Sequence, residues 1–439
     1  MGGFFHKTGT NTKRKTVSSL KDLEGAFRVE WPMSIPQTDH PFFASAAPGL
    51  DSIVFCELTT LGFKPRHEHG GAFWKGSWRD LYRACVGLRA AETVLVRIKS
   101  CLVKTFAELE TELKSLPWDR WVSRREFFRV SASCQASALY HEGAVEERLA
   151  EWITQKTAGQ WVGLEKDKGP GGDGGSASGT PAQHFVVRID RDQLLLSVDA
   201  CGVPLHRRGY RLASAKAPLR ETLAAGLILA SGWVPAVKEG QGRGTAVRFK
   251  PPGAPLDDPF CGSGTIPIEA ALIARKIPPA LANPQLKPRS FAFQSWQDFD
   301  ALAWSKTVES FQSRVLEASP LLVLAGDRDE GALVSSAANA ERAGLGKDIQ
   351  FSHRAFSAAE WAPGTFIVTN PPWGLRVSNG SDIRDLFTAL GAKLRGAPGV
   401  HAAWLDGSET GAKATGINWK EIFRTNNSGL LVRALYAEF

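Results

Sequence analysis

The chain has 439 residues, 43% hydrophobic and 22% charged, with 53 Lys and Arg against 45 Asp and Glu and a formal charge of +8. This is an ordinary globular composition, long enough for about two or three domains with real cores, and it excludes a disordered polyelectrolyte. No run is apolar for long enough to span a bilayer; six cysteines without a CxxC pair, and no His pair at ligand spacing, exclude a disulfide framework and a zinc site.

Residues 1–40 read as a disordered basic tail. Lys7, Lys13, Arg14, Lys15 and Lys21 come with Thr and Ser and with no acid before Asp22. An organelle presequence shares that composition, but the tail lacks amphipathic periodicity, so a cytoplasmic protein with a basic extension is expected. Residues 41–105 alternate short signals: a strand at Phe42–Ser45, a helix from Leu50 stopped by Gly62, a strand at Ala72–Trp74, a helix over Trp78–Leu88 and a strand at Thr93–Ile98. They form a small α+β module. Residues 106–212 form the next, with a basic strand at Arg124–Val130, an amphipathic helix over Glu142–Ile153, and strands at His184–Ile189 and Leu194–Val198. Its Gly-rich insert, residues 166–182, cannot bury apolar surface and reads as flexible.

From residue 213 a helix over Ala217–Ser231 leads to a polar, Gly-rich insertion, Gly240–Gly253. Strand and helix signals then alternate: a strand at Leu321–Asp327, a helix from Glu330 stopped by Gly344, strands at Ile349–His353 and Phe366–Thr369, a helix over Ile383–Leu394 and a strand at Val400–Leu405. Such alternation predicts an α/β fold with a doubly wound parallel sheet. A closing hairpin, turning at Asn426–Gly429, is expected to put an antiparallel strand at the sheet's end.

Two stretches carry chemistry. Asp258-Pro259-Phe260-Cys261-Gly262-Ser263-Gly264-Thr265 lies between a strand-like run and a helix-like run, Ile266–Lys276. A strand, a Gly-rich turn and a helix open a nucleotide-binding unit, because glycine lets backbone approach a ligand and the helix start offers free N–H groups. No Lys follows Gly264, so the loop suits a nucleoside without a triphosphate. Asp327 ends the next strand, where a carboxylate can accept ribose hydroxyls; a helix N-cap is the plainer alternative. The second stretch is Asn370-Pro371-Pro372-Trp373. Its prolines end the ladder and leave Asn370 at the strand's carboxyl end. The Asn370 amide oxygen and the carbonyls of Asn370 and Pro371 can accept from an exocyclic amine, and Trp373 offers a face to a base.

Together these two motifs resemble the S-adenosylmethionine-dependent amino-group methyltransferases. With the blocks Phe43–Leu50, Leu205–Arg211 and Ala217–Ala225 in the same order, residues 41–439 are similar to the THUMP-containing RNA guanine-N2 methyltransferases, which include the bacterial 23S rRNA enzyme and tRNA relatives. The resemblance implies a ferredoxin-like subdomain at 41–105, a THUMP RNA-binding domain at 106–212 and a seven-stranded, Rossmann-like class I methyltransferase domain at 213–439. It implies S-adenosyl-L-methionine as cofactor, held by Asp258, Phe260, Gly262, Gly264, Thr265 and Asp327. Asn370, Pro371, Pro372 and Trp373 would serve transfer to the N2 amine of a guanosine, in large-subunit rRNA before tRNA. In the family the first turn of the 217–231 helix lies beside the cofactor, which makes Arg220, Glu221 and Thr222 candidates there, and the block Phe291–Trp296 also matches. Arg124, Arg125, Arg129, His206, Arg207, Arg208 and Arg211 are the basic clusters expected to hold RNA phosphates. No metal and no membrane partner is expected.

This chain departs from the family pattern twice. Ala355 stands where the third strand is usually followed by an acid that accepts from the adenine amine. Trp373 stands where Tyr is commoner. A DNA or protein amino-group methyltransferase, and a non-catalytic RNA-binding or ribosome-assembly factor with a degenerate pocket, stay open as alternatives.

Overall fold

A computed structural model describes residues 39–163, 182–212, 219–233, 236–239, 246–249, 254–373, 380–427 and 429–439. The basic tail before Asp39, nearly all of the Gly-rich insert and the Ala217–Pro218 start of the expected helix lie outside the described residues.

The front half is built on one sheet. Its elements are β1 (His40–Ala46), α1 (Asp51–Thr60), β2 (Arg66–Glu68), β3 (Gly71–Gly76), α2 (Trp78–Gly87), β4 (Ala91–Leu102), α3 (Phe106–Lys114), β5 (Phe127–Gln135), α4 (Glu142–Thr157), β6 (Gln160–Trp161), β7 (Gln183–Asp190) and β8 (Gln193–Asp199). The strand order is β2-β3-β1-β4-β8-β7-β5-β6. Strand β4 is what joins the two modules that the sequence separates near residue 105. Its first part pairs with β1 through Phe42↔Val96, and the rest pairs with β8 from Leu95↔Asp199 to Leu102↔Gln193. A strand of twelve residues is long enough to serve both neighbours. The expected strand at Arg124–Val130 begins only at Phe127, because Arg125 takes a left-handed φ of 66° and turns the chain.

The back half comprises α5 (Glu221–Ala230), β9 (Ala236–Glu239), β10 (Ala246–Phe249), β11 (Leu256–Asp258), α6 (Thr265–Ala274), α7 (Ala301–Gln312), β12 (Val323–Asp327), α8 (Glu330–Arg342), β13 (Ile349–His353), β14 (Phe366–Thr369), α9 (Gly380–Arg395), β15 (His401–Asp406), α10 (Glu409–Ala414), β16 (Lys420–Asn427) and β17 (Leu430–Glu438). The stretch expected to be only a polar insertion contains β10, which pairs with β9. The main sheet has the order β13-β12-β11-β14-β15-β17-β16, parallel through its first five strands. The antiparallel strand lies one place inside the edge: β17 sits between β15 and β16. Strand β17 buries Val432, Ala434, Leu435 and Ala437, whereas β16 exposes alternate residues, so the more apolar strand takes the covered position.

The chain order reverses at β11, which has β12 on one side and β14 on the other. Ligands bind in open α/β sheets outside the strand carboxyl ends at such a switch point. Helix α6, which leaves that point, is buried at all ten positions, with Ile268, Ala271 and Leu272 fully inside. A helix buried all round belongs between layers, and α6 packs against both α5 and the sheet. The Pro- and aromatic-rich excursion after α6 is scaffold. Phe291, Phe293 and Trp296 are buried, the Trp296 indole N–H donates to Gln183 Oε1 at 2.6 Å, and the Phe293 N–H donates to the Ala200 carbonyl at 3.2 Å.

Candidate active site

The loop after β11 is laced to both neighbouring strands. Asp258 Oδ1 accepts the Phe260 N–H at 3.1 Å and the Thr369 hydroxyl of β14 at 2.6 Å. Burial, and then the nearby carboxylates of Asp257 and Asp327, push the Asp258 carboxyl up from 3.8 to about 8 against the pull of those hydrogen bonds. On the other side the Gly262 N–H donates to Asp327 Oδ2 at 2.9 Å and the Cys261 N–H to the Gly326 carbonyl at 3.0 Å. Burial pushes the Cys261 thiol far up, which makes it a small packing residue rather than a nucleophile.

Two glycines shape the loop. Gly264 has φ 86°, and a Cβ there would lie 2.2 Å from Ser336 Oγ on α8. Gly262 has φ 52°, and a Cβ there would meet nothing within 4 Å. The first glycine is demanded by close packing; the second borders open space at the helix start. Thr265 begins α6. Asp327 is not the cap of the helix that follows: Asp329 caps α8 by accepting the Ala332 N–H at 3.2 Å. Asp327 Oδ1 accepts the Asp329 N–H at 3.0 Å, and each carboxylate oxygen retains a second lone pair.

At the end of β14 the Asn370 Oδ1 is buried and has no hydrogen-bond partner among the described residues. Leaving an amide oxygen so costs about 1–3 kcal/mol unless a ligand supplies the donor. Pro371 is buried and Pro372 exposed. Trp373 is seated from below: its indole N–H donates to the Leu405 carbonyl of β15 at 2.9 Å, and a Cβ on Gly407 would stand 2.5 Å from its ring. Ala355 lies just past β13 at the start of a short helical turn, and the Phe356 beside it stacks on Phe260 of the loop with ring centroids 5.3 Å apart.

Sequence reasoning missed Gly407, Thr369 and the ion pair between Asp257 of β11 and Arg354 after β13, 2.7 Å apart. Only Asp257 carried a signal, as a second acid in a strand otherwise due to be apolar.

The structure divides the expected RNA contacts. Arg124 and Arg125 are exposed in the turn before β5, and Arg129 is half-buried on β5 with a buried, unpartnered Nε. Part of the Leu205–Arg211 block forms a seam between the two halves. Arg208 is buried, faces Glu269 of α6 at 3.4 Å and donates to the Arg89 carbonyl at 2.6 Å. Arg211 donates to the Leu219 carbonyl at 2.6 Å and pairs with Glu221 at 3.1 Å. His206 sits 3.4 Å from Glu92, and the Arg207 carbonyl accepts from Arg289 at 3.2 Å. Arg220 and Thr222, expected beside the cofactor, reach Glu92 at 3.4 and 2.9 Å. Glu92 and Glu269, which claim most of these groups, lie far away in sequence, so a reading of the local cluster could not find them.

Residues 249–403 match the family model described as RMKL-like, methyltransferase domain, and residues 41–95 match the RlmL ferredoxin-like domain. The chain carries an RMKL-like methyltransferase domain. Among similar proteins, the ribosomal RNA large subunit methyltransferase K/L of Syntrophotalea carbinolica is 31% identical over 412 residues, covering 90% of this chain and 53% of that protein. The putative RNA methyltransferase YpsC of Bacillus subtilis is 29% identical, covering 80% of this chain and 84% of that protein. The chain thus spans about half the length of the K/L relatives it matches. A predicted N6-adenine-specific DNA methylase from Listeria monocytogenes superposes on this chain with a TM-score of 0.73 at 28% identity, over 90% of this chain and 96% of that one. A putative methyltransferase solved with SAH superposes with a TM-score of 0.75 at 22% identity, which establishes the shared fold. Among the described residues no helix is long and apolar enough to cross a membrane.

Proposed function

We propose that this chain is an S-adenosyl-L-methionine-dependent RNA methyltransferase of the large-subunit rRNA K/L type, and that it methylates the exocyclic N2 amine of a guanosine. The single observation that carries the acceptor chemistry is the buried, unpartnered Asn370 Oδ1 at the end of β14. An amine donor is what such an acceptor lacks.

The residues present fit the cofactor. Gly262 borders open space at the start of α6, Asp327 ends β12 with lone pairs to spare, and Phe260 flanks the loop. Gly264 and Thr265 set the turn that aims the N–H groups of α6, and Asp258 braces that turn from β11 and β14. When bound, the cofactor supplies a methyl group already activated on positively charged sulfur. Everything else falls to the chain. Asn370 Oδ1 and the Pro371 carbonyl accept the hydrogens of the amine and turn its lone pair out of conjugation with the ring. Pro371 and Pro372 hold the backbone of that corner stiff. Trp373, pinned to β15, stacks on a base flipped out of its helix. Holding amine and methyl in line accounts for the acceleration.

The front sheet takes the role of gripping RNA, with 41–105 as its ferredoxin-like part and 106–212 as a THUMP domain. Arg124, Arg125 and Arg129 are its phosphate contacts. The test is direct: purified protein is incubated with the cofactor and with unmodified large-subunit rRNA or tRNA, and each RNA is digested and analysed by mass spectrometry. N2-methylguanosine from rRNA supports the reading, the same product from tRNA alone moves the substrate, and a methylated adenine or no product overturns it.

A further inference from the structure

Asp257 is a charged residue in the central strand of a parallel sheet, with a fully buried side chain. Both of its oxygens accept from Arg354 Nη2, at 2.8 and 2.7 Å, and Oδ2 also accepts the Trp361 indole N–H at 2.7 Å. Arg354 belongs to the turn after β13, two strands away. Its guanidinium therefore crosses β12, and it does so at Gly326, where a Cβ would stand 2.9 Å from Arg354 Nε. The Arg354 N–H meanwhile donates to the carbonyl of Asp327 at 3.0 Å. One buried carboxylate thus tethers both ends of the segment 354–361. The middle is held too: Lys393 of α9 donates to the Ser357 carbonyl at 2.9 Å, and Phe356 stacks on Phe260.

This segment contains Ala355, the position where an acidic side chain is missing. A buried ion pair is a poor device for stability, since desolvation offsets most of its attraction; its best-attested use is to enforce one geometry. Resting on the reading above that the site takes S-adenosylmethionine, we propose that Arg354 is a positioning residue. Clamped to Asp257 beneath Gly326, it holds the main chain of residues 355–358 rigid, so that backbone groups and the Phe356–Phe260 stack recognise the cofactor's nucleobase in place of the absent carboxylate.

The experiment measures S-adenosylhomocysteine affinity by calorimetry, together with melting temperature, for wild type, Arg354→Met and the double variant Arg354→Met/Asp257→Asn. The single variant strands a buried carboxylate and is expected to lose both stability and affinity. The double variant removes both charges while keeping an acceptor for Trp361, and it should regain most of the melting temperature. Its ligand affinity should nonetheless remain about tenfold weaker or worse, with faster amide exchange at residues 355–358. Wild-type affinity in the double variant overturns the clamp and leaves the cofactor assignment standing. No binding by the wild-type chain overturns that assignment, and the clamp with it.

Discussion

Asn370 and Asp258 occupy the carboxyl ends of adjacent strands, yet their side chains are in opposite condition. The Asn370 amide oxygen is an unmet acceptor, whereas Asp258 Oδ1 accepts twice from the protein itself. Asn370→Ala should therefore abolish methyl transfer while S-adenosylhomocysteine still binds; calorimetry beside a single-turnover assay checks it, and near wild-type turnover removes the role. For Asp258 the prediction concerns pH. Its carboxyl is raised in the folded chain to about 8 from 3.8. A folded state that holds the proton more tightly gains stability at low pH and loses it as pH rises through that window. Asp258→Asn can keep the acceptor and cannot ionise. The melting temperature of wild type relative to this variant should fall between about pH 4 and 8, and a flat difference contradicts the assigned burial.

Elements decide where the aromatic face goes. The turn after β14 delivers Trp373, but β15 and the residue after its end determine its orientation through the Leu405 carbonyl and the bare Cα of Gly407. Gly407→Ala would set a methyl 2.5 Å from the ring and push it out of place. The RNA KM should rise about tenfold, near the low end of the about 1–3 kcal/mol that stacking a base on an aromatic contributes. Cofactor affinity should stay unchanged, because the Asp258–Thr265 loop lies on β11. A parallel loss of both affinities in titrations would place Gly407 in the general scaffold. Much at this scale was legible in the residues. Periodicity located β13 and α8 closely, and two prolines located the end of β14. It missed β10, whose four residues are too short for a period to declare itself.

For the whole molecule the question is which cations meet RNA and which hold the halves together. Arg208 and Glu269 are both buried, with Tyr210 donating to the same Glu269 oxygen at 3.1 Å. Arg208→Met should cost about 3–5 kcal/mol of stability by stranding Glu269 and leave the salt dependence of RNA binding as it was. Arg124→Ala/Arg125→Ala should do the reverse. The melting temperature holds, while the slope of log affinity against log salt becomes shallower by about 1 for each phosphate no longer neutralised. If the Arg208 variant changes that slope and the double variant does not, the division between seam and RNA surface is mistaken.

Read alone, the residues determined the strand–helix alternation of the back half from β12 to β15, the nature of the sheet and the two motifs at its switch point. Those are local matters: apolar periods, glycines that permit a left-handed φ, and prolines that stop a ladder. Tertiary structure alone decided the rest. It joined two α+β modules through β4, placed β17 inside β16, and turned Arg208 and Arg211 inward. It also set Asp257 under Arg354 across an intervening strand. Each outcome depends on a partner remote in sequence or on competition between strands for a covered place, and neither leaves a mark in a local stretch of residues.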